Sequence, residues 1–261
     1  DGFRFDLAAA LARSHNDIDG ISALIVAMVA DPVLRERKLI AEPWDTRGYA
    51  LGYFPYPWRE WNDKYRDALR KFWLSEAGGA APTGVGELAT RLSGSHDIFA
   101  YRGPTSTINF LTAHDGFTLN DLTSYNEKHN EANSEENRDG TNNNYSWNLG
   151  VEGPTPDAAI NESRLRLQKS MLASLLMSAG VPMILMGDEV GRTQAGSNNS
   201  YSLPLNESGN SLTGLDSFNG GWALNWNLNE RERELLETTK TLISLRKEYL
   251  APVARTFFTG E

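Results

Sequence analysis

An α/β fold built on a parallel sheet or barrel is what this 261-residue sequence predicts. Two observations carry the prediction. Short apolar runs alternate with longer segments of helical periodicity, the order expected when each strand is followed by a crossover helix. Three of the runs end in an acid, Asp6, Glu42 and Asp115. In parallel barrels the C-terminal strand ends converge on one face, and that face holds the active site.

The first strand covers residues 3–7, and a polar loop follows at 13–20. An apolar helix is expected over 21–34, with Leu24, Ile25 and Met28. The second strand, 38–42, stops at Pro43, because the interior of a parallel strand needs every amide donor. An aromatic, Pro-punctuated loop at 49–58 leads to a weak strand at 58–62 and a helix through Phe72. Trp61, Tyr65, Leu69 and Phe72 fall at helical spacing and read as one face. Lys64, Arg66, Arg70 and Lys71 read as solvated. Residues 76–107 read as irregular. A third clear strand at 107–112 feeds His114 and Asp115, and a polar stretch at 124–157 follows. Unstructured runs of that length in compact domains are usually functional or disordered. The strongest helix is expected over 162–178, with Leu165, Leu172 and Leu176 inward and Gly180 as its stop. A buried strand at 181–186 ends in Gly187-Asp188-Glu189. Residues 194–221 form a second polar loop, and an amphipathic helix at 230–249 closes the chain. The chain lacks an initiating Met and opens inside a strand, so it reads as a fragment of a longer protein.

The net charge of −9 argues against a duplex nucleic-acid partner, which needs a basic surface to neutralise phosphates. It argues weakly against an anionic membrane surface. No apolar run approaches the ~20 residues that span a bilayer, and the start has no signal-peptide pattern. The absence of cysteine excludes disulfides and thiolate metal sites and fits a cytoplasmic location. No cofactor or metal is expected. The loop at 126–144 is rich in oxygen ligands, but it lacks the spacing of a calcium loop and reads as hydrogen-bonded.

The acids suggest a chemistry. Retaining glycoside cleavage needs two carboxyl groups about 5–5.5 Å apart, and neighbouring strands lie about 4.8 Å apart. Carboxylates at two adjacent strand ends therefore meet the spacing. Arg4 precedes Asp6 by two residues, so both side chains share a face, and a cation there favours the ionised acid. Each residue also has a plainer reading. Asp6 is readable as a capping acid, Glu42 as a surface acid before a turn, and Asp115 as a helix N-cap. His114 reads as a structural histidine, and Trp44 as core or as a platform for a sugar ring.

Three motifs decide between these readings: Gly2-Phe3-Arg4-Phe5-Asp6-Leu7-Ala8, Glu42-Pro43-Trp44-Asp45 and Phe110-Leu111-Thr112-Ala113-His114-Asp115. Their order and strand context resemble three of the four short motifs of the α-amylase superfamily, glycoside hydrolase family 13. The polar loop from Asn126 through Ser146, Trp61-Asn62-Asp63, and Gly187-Asp188-Glu189 followed by Asn198-Asn199 are similar to the glycogen debranching and isoamylase subgroup. Residues 202–222 depart from its pattern. The resemblance implies a (β/α)8 TIM barrel, of which residues 1–261 supply approximately strands four to eight. It implies that Asp6 is the nucleophile, Glu42 the general acid/base and Asp115 the transition-state stabiliser. Arg4 and His114 match residues that hydrogen-bond the nucleophile or the sugar hydroxyls, and Trp44 stays the candidate substrate platform read above. The implied reaction is hydrolysis of α-1,6 branch linkages in glycogen, amylopectin or limit dextrins. Two alternatives stay open: an α-1,4 hydrolase or glucan transferase with the same acids, and an inactive remnant, since five strands cannot close an eight-stranded barrel.

Overall fold

The computed structural model describes residues 1–14, 17–18, 22–74, 81–200 and 224–259. Its centre is a parallel five-stranded sheet. The strands are β1 (Gly2–Phe5), β2 (Lys38–Ala41), β3 (Arg59–Trp61), β4 (Thr107–Phe110) and β5 (Val181–Met183), in spatial order 1-2-3-4-5. Every strand pairs in parallel with its neighbour in sequence. The α/β prediction therefore holds, with β1 and β5 as the sheet edges among the described residues. Pro182 is tolerated because β5 lies at an edge, where a missing donor breaks no inner ladder.

The helices are α1 (Ala23–Ala30), α2 (Asp63–Leu74), α3 (Val85–Leu92), α4 (Ala158–Leu176) and α5 (Glu230–Leu245). α4 starts four residues earlier than its apolar stripe suggests, because Asp157 caps the amides of Ala159 and Ile160. α5 opens on a capping box between Asn229 and Glu232. Residues 76–107 are not irregular throughout. They contain α3, a one-turn helix at His96–Phe99 and a 3-10 turn at Pro104–Ser106. The Gly/Ala/Pro patch masks this in the sequence, and residues 75–80 lie outside the described residues, as does the atypical stretch 202–222.

Two faces follow from the strand alternation. On the helix side, Leu39 and Ala41 pack with Ile25, Phe54 and Trp58. Beyond them Tyr65, Leu69, Leu165, Leu172 and Leu235 join α2, α4 and α5 in the largest cluster. On the other face, Trp61, Ile108 and Phe110 form a small cluster with Ile40 and Trp44 against it. Trp61 thus corrects the helical reading. It ends a strand, and α2 begins two residues later, where the side chain of Asn62 accepts the Tyr65 amide and donates to Ser95 and Thr107. Arg70 corrects a second expectation. It is buried, and its Nε donates to the Leu111 carbonyl at 2.7 Å.

Candidate active site

The register positions the acids. Arg4 pairs with Ile40 and Phe5 with Ala41, while Ala41 pairs with Glu60 and Glu60 with Thr107. One residue further on, Asp6, Glu42, Trp61 and Ile108 fall in a single row. The ladder continues past the strand ends, since the Glu42 amide donates to the Phe5 carbonyl at 3.1 Å and the Ala8 amide to the Glu42 carbonyl at 2.9 Å. Alternation then directs all four side chains to the face opposite the helices.

Arg4 joins the first two acids. Its Nη1 lies 2.7 Å from Oδ1 of Asp6, and its Nη2 forms an ion pair with Oε2 of Glu42 at 3.1 Å. The guanidinium lies over the Trp61 ring, 4.4 Å from the centroid. Glu42 is buried and also accepts the Leu7 amide at 2.6 Å. Asp6 is open to solvent, with 70% of its side chain exposed. Leu7 adopts a left-handed φ of 42°, so the chain turns sharply just after Asp6.

The third acid arrives from the loop after β4. Asp115 is 77% exposed, and its Oδ2 lies 3.4 Å from Nε2 of His114. The His114 ring in turn sits 5.9 Å from that of Trp61. Asp115 does not cap a helix. The one-turn helix at Leu119–Leu122 is capped by Thr118, whose side chain accepts the Asp121 amide.

Glu42, Trp44, Trp61, His114 and Asp115 line an open cavity of about 510 Å³ together with Thr141, Asn143, Asn198 and Asn199. Asp6 and Arg4 do not line it; they adjoin it through Glu42 and Trp61. The half-buried Trp44 offers part of its ring to this cavity and part to the Trp61 cluster. Trp44 is therefore part core and part cavity wall. A second cavity of about 440 Å³, lined by Tyr125, Arg164 and Leu235 among others, lies by α4 and α5, and none of the six site residues reaches it.

Sequence reasoning missed several neighbours. Asp63 lines the cavity and accepts the Tyr49 hydroxyl at 2.6 Å, and burial holds its carboxyl above the usual range. Arg70 also lines the cavity and donates to the Asn144 carbonyl. Its place directly after Leu69 on the buried stripe is the one signal that marked it. Asp188 does not reach the cavity. It accepts from the Thr112 hydroxyl and the Leu119 amide, and burial pushes its carboxyl up to about 6 against those bonds. Asp121 has the same situation beneath Thr193 and Gln194, again at about 6. No group of three or more His, Cys, Asp or Glu among the described residues is arranged to hold a metal ion. No described helix is long and apolar enough to cross a membrane.

No family model matches the chain. The glycogen operon protein GlgX homolog of Mycobacterium tuberculosis is 48% identical over all of the chain and 34% of its own length. Along its whole length the chain is therefore similar to part of a protein of that name. A second GlgX homolog, from Haemophilus influenzae, is 47% identical over 95% of the chain and 36% of its own length. A glycogen debranching enzyme from Enterobacter is 45% identical over 99% of the chain and 36% of its own length. The chain thus spans about a third of the length of these relatives. Among solved structures, the pullulanase of Bacillus acidopullulyticus superposes with a TM-score of 0.62 at 23% identity, over 98% of this chain and 27% of that one. A maltose complex of type I pullulanase from Bacillus subtilis gives 0.58 at 25% identity, over 95% and 30%. The sequence and structural likenesses agree with the resemblance read from the three motifs.

Proposed function

We propose that the protein carrying this chain hydrolyses α-1,6 branch linkages of glycogen or related branched α-glucans with retention. The observation that carries this reading is the shared guanidinium of Arg4, which ties Asp6 and Glu42 together at the ends of adjacent parallel strands. Strand spacing of about 4.8 Å suits the about 5–5.5 Å separation that retaining chemistry needs. Asp6, the open acid, attacks the anomeric carbon as its bond to the branch oxygen breaks. Glu42 gives its proton to that oxygen. Glu42 then takes a proton from water, which displaces Asp6 from the sugar and regenerates both acids. Asp115 is exposed in the same cavity and stabilises the oxocarbenium-like transition state. Arg4 holds the two acids in place, His114 binds a sugar hydroxyl, and Trp44 gives a ring face to a glucose unit.

The relatives' debranching names and the maltose-bound pullulanase support a branched, neutral glucan as substrate. In this reading the five strands are strands four to eight of a (β/α)8 barrel, and the protein works in the cytoplasm, where glycogen is stored. The test is incubation with a phosphorylase-limit dextrin. Short linear maltooligosaccharides should appear, first as the α-anomer, while linear amylose stays intact. Failure to release them refutes the proposal, and equal cleavage of amylose turns it toward an α-1,4 glucanase.

A further inference from the structure

We propose that Asn198 is a positioning residue that sets where Asp115 stands, by fastening the long polar loop to the turn after β4. This inference rests on the catalytic reading of Asp115 given above.

Asn198 is 2% exposed, yet every polar atom it carries is engaged. Its carbonyl accepts the Gly116 amide at 2.9 Å, the residue directly after Asp115. Its own amide donates to Oδ1 of Asn130 at 2.9 Å, and Nδ2 of Asn130 donates back to its Oδ1 at 2.8 Å. Its Nδ2 donates to the Thr141 carbonyl at 2.7 Å and to Oδ1 of Asn144 at 3.0 Å. The side-chain amide of Asn198 thus holds residues 130, 141 and 144, while its backbone carbonyl holds the turn that bears Asp115. A carboxylate cannot replace the amide, because two of its bonds need an N–H donor, and a shorter side chain takes that donor from the Thr141 carbonyl and from Oδ1 of Asn144.

Gly140 corroborates the closeness of this fastening. Its φ is +70°, and a Cβ there would lie 2.2 Å from Oδ1 of Asn198 and 3.0 Å from Nδ2 of Asn130. The loop can lie over Asn198 only because position 140 has no side chain. Asn199 extends the contact, with its Nδ2 on Oδ2 of Asp139 at 2.9 Å. Asp115 itself has no such anchor. Among the described residues its exposed carboxylate pairs with His114 alone, so its place is inherited from the Gly116–Asn198 bond. Misplacing a reacting group by about 1 Å costs on the order of 100-fold in rate.

The experiment uses the whole protein carrying this chain, assayed on limit dextrin well below its melting temperature. Asn198→Ala and Gly140→Ala should each lower kcat about 10- to 100-fold while KM stays within about threefold of the parent. Gln168→Ala serves as a stability control. It removes buried hydrogen bonds to Asn120 and Thr123 beside α4, away from the acids, and should lower the melting temperature without changing kcat. Asn144→Ala removes a single bond to Asn198 and gives a milder kcat loss if the stronger variants do not fold. Parent-like kcat in Asn198→Ala and Gly140→Ala, or in Asn144→Ala if only that variant folds, overturns the proposal. Asp115→Asn is run alongside. Full activity there overturns the functional reading itself, and this inference with it. An inactive Asp115→Asn beside a fully active Asn198→Ala overturns the positioning role alone.

Discussion

Arg4 is the residue whose loss the structure prices most directly. Arg4→Met keeps an unbranched apolar stem but removes the guanidinium, and with it the charge and the contact with the Trp61 ring. The ion pair to the buried Glu42 at 3.1 Å contributes roughly 1–3 kcal/mol, between the range for exposed pairs and the cost of breaking a buried one. The 2.7 Å contact with Asp6 adds only about 0.2–1 kcal/mol, because that carboxylate is mostly in water and screened. Without them both acids lose their fixed positions, and a reacting group misplaced by about 1 Å costs on the order of 100-fold in kcat/KM. Glu42 keeps the Leu7 amide, so the fold around it should survive. Arg4→Lys should recover only part of the activity, since a single ammonium cannot fork between two acids. The assay is initial-rate release of maltooligosaccharides from limit dextrin, with circular dichroism as the folding check. A loss under threefold in a folded Arg4→Met protein would refute the idea that one guanidinium organises both acids.

The acids themselves should be less forgiving. Glu42→Gln and Asp6→Asn should each cut turnover by about 100-fold or more with unchanged circular dichroism, and normal turnover in either removes it from the mechanism. Asp121 and Asp188 make stability depend on pH. Burial raises both carboxyls from 3.8 to about 6, so between those values the folded state binds more protons than the unfolded one. Stability should therefore fall as pH rises from about 4 to about 6 and level off above, each group contributing on the order of 3 kcal/mol. Urea titrations of Asp188→Asn against the parent should show the variant losing its share of that slope, and parallel curves would count against the burial argument. In the helix layer, Leu172 is 1% exposed within the largest cluster. Leu172→Ala should cost about 2–5 kcal/mol, read as a lower urea midpoint, and an unchanged midpoint would contradict the packing described.

The sequence by itself determined the alternation of strands and helices, the strand-end acids and the stripes of α4 and α5. These are local properties: a period of two or 3.6, a capping Asp157, a Pro43 that ends a strand. It also marked Arg4, Glu42, His114 and Asp115, because their motifs are contiguous. Only the tertiary structure decided what depends on register. Trp61 reads as a helical residue until the pairing of β2 with β3 carries it into the row of Asp6 and Glu42. Arg70 reads as solvated until the end of β4 and the Asn144 carbonyl close over it. Asn198 reads as one polar residue among many, and its five hydrogen bonds reach residues 54 to 82 positions away. Periodicity reports which face of its own element a residue occupies. It carries no information about which distant carbonyl or amide that face will meet, and the positions of Asp115 and of the cavity wall depend on those meetings.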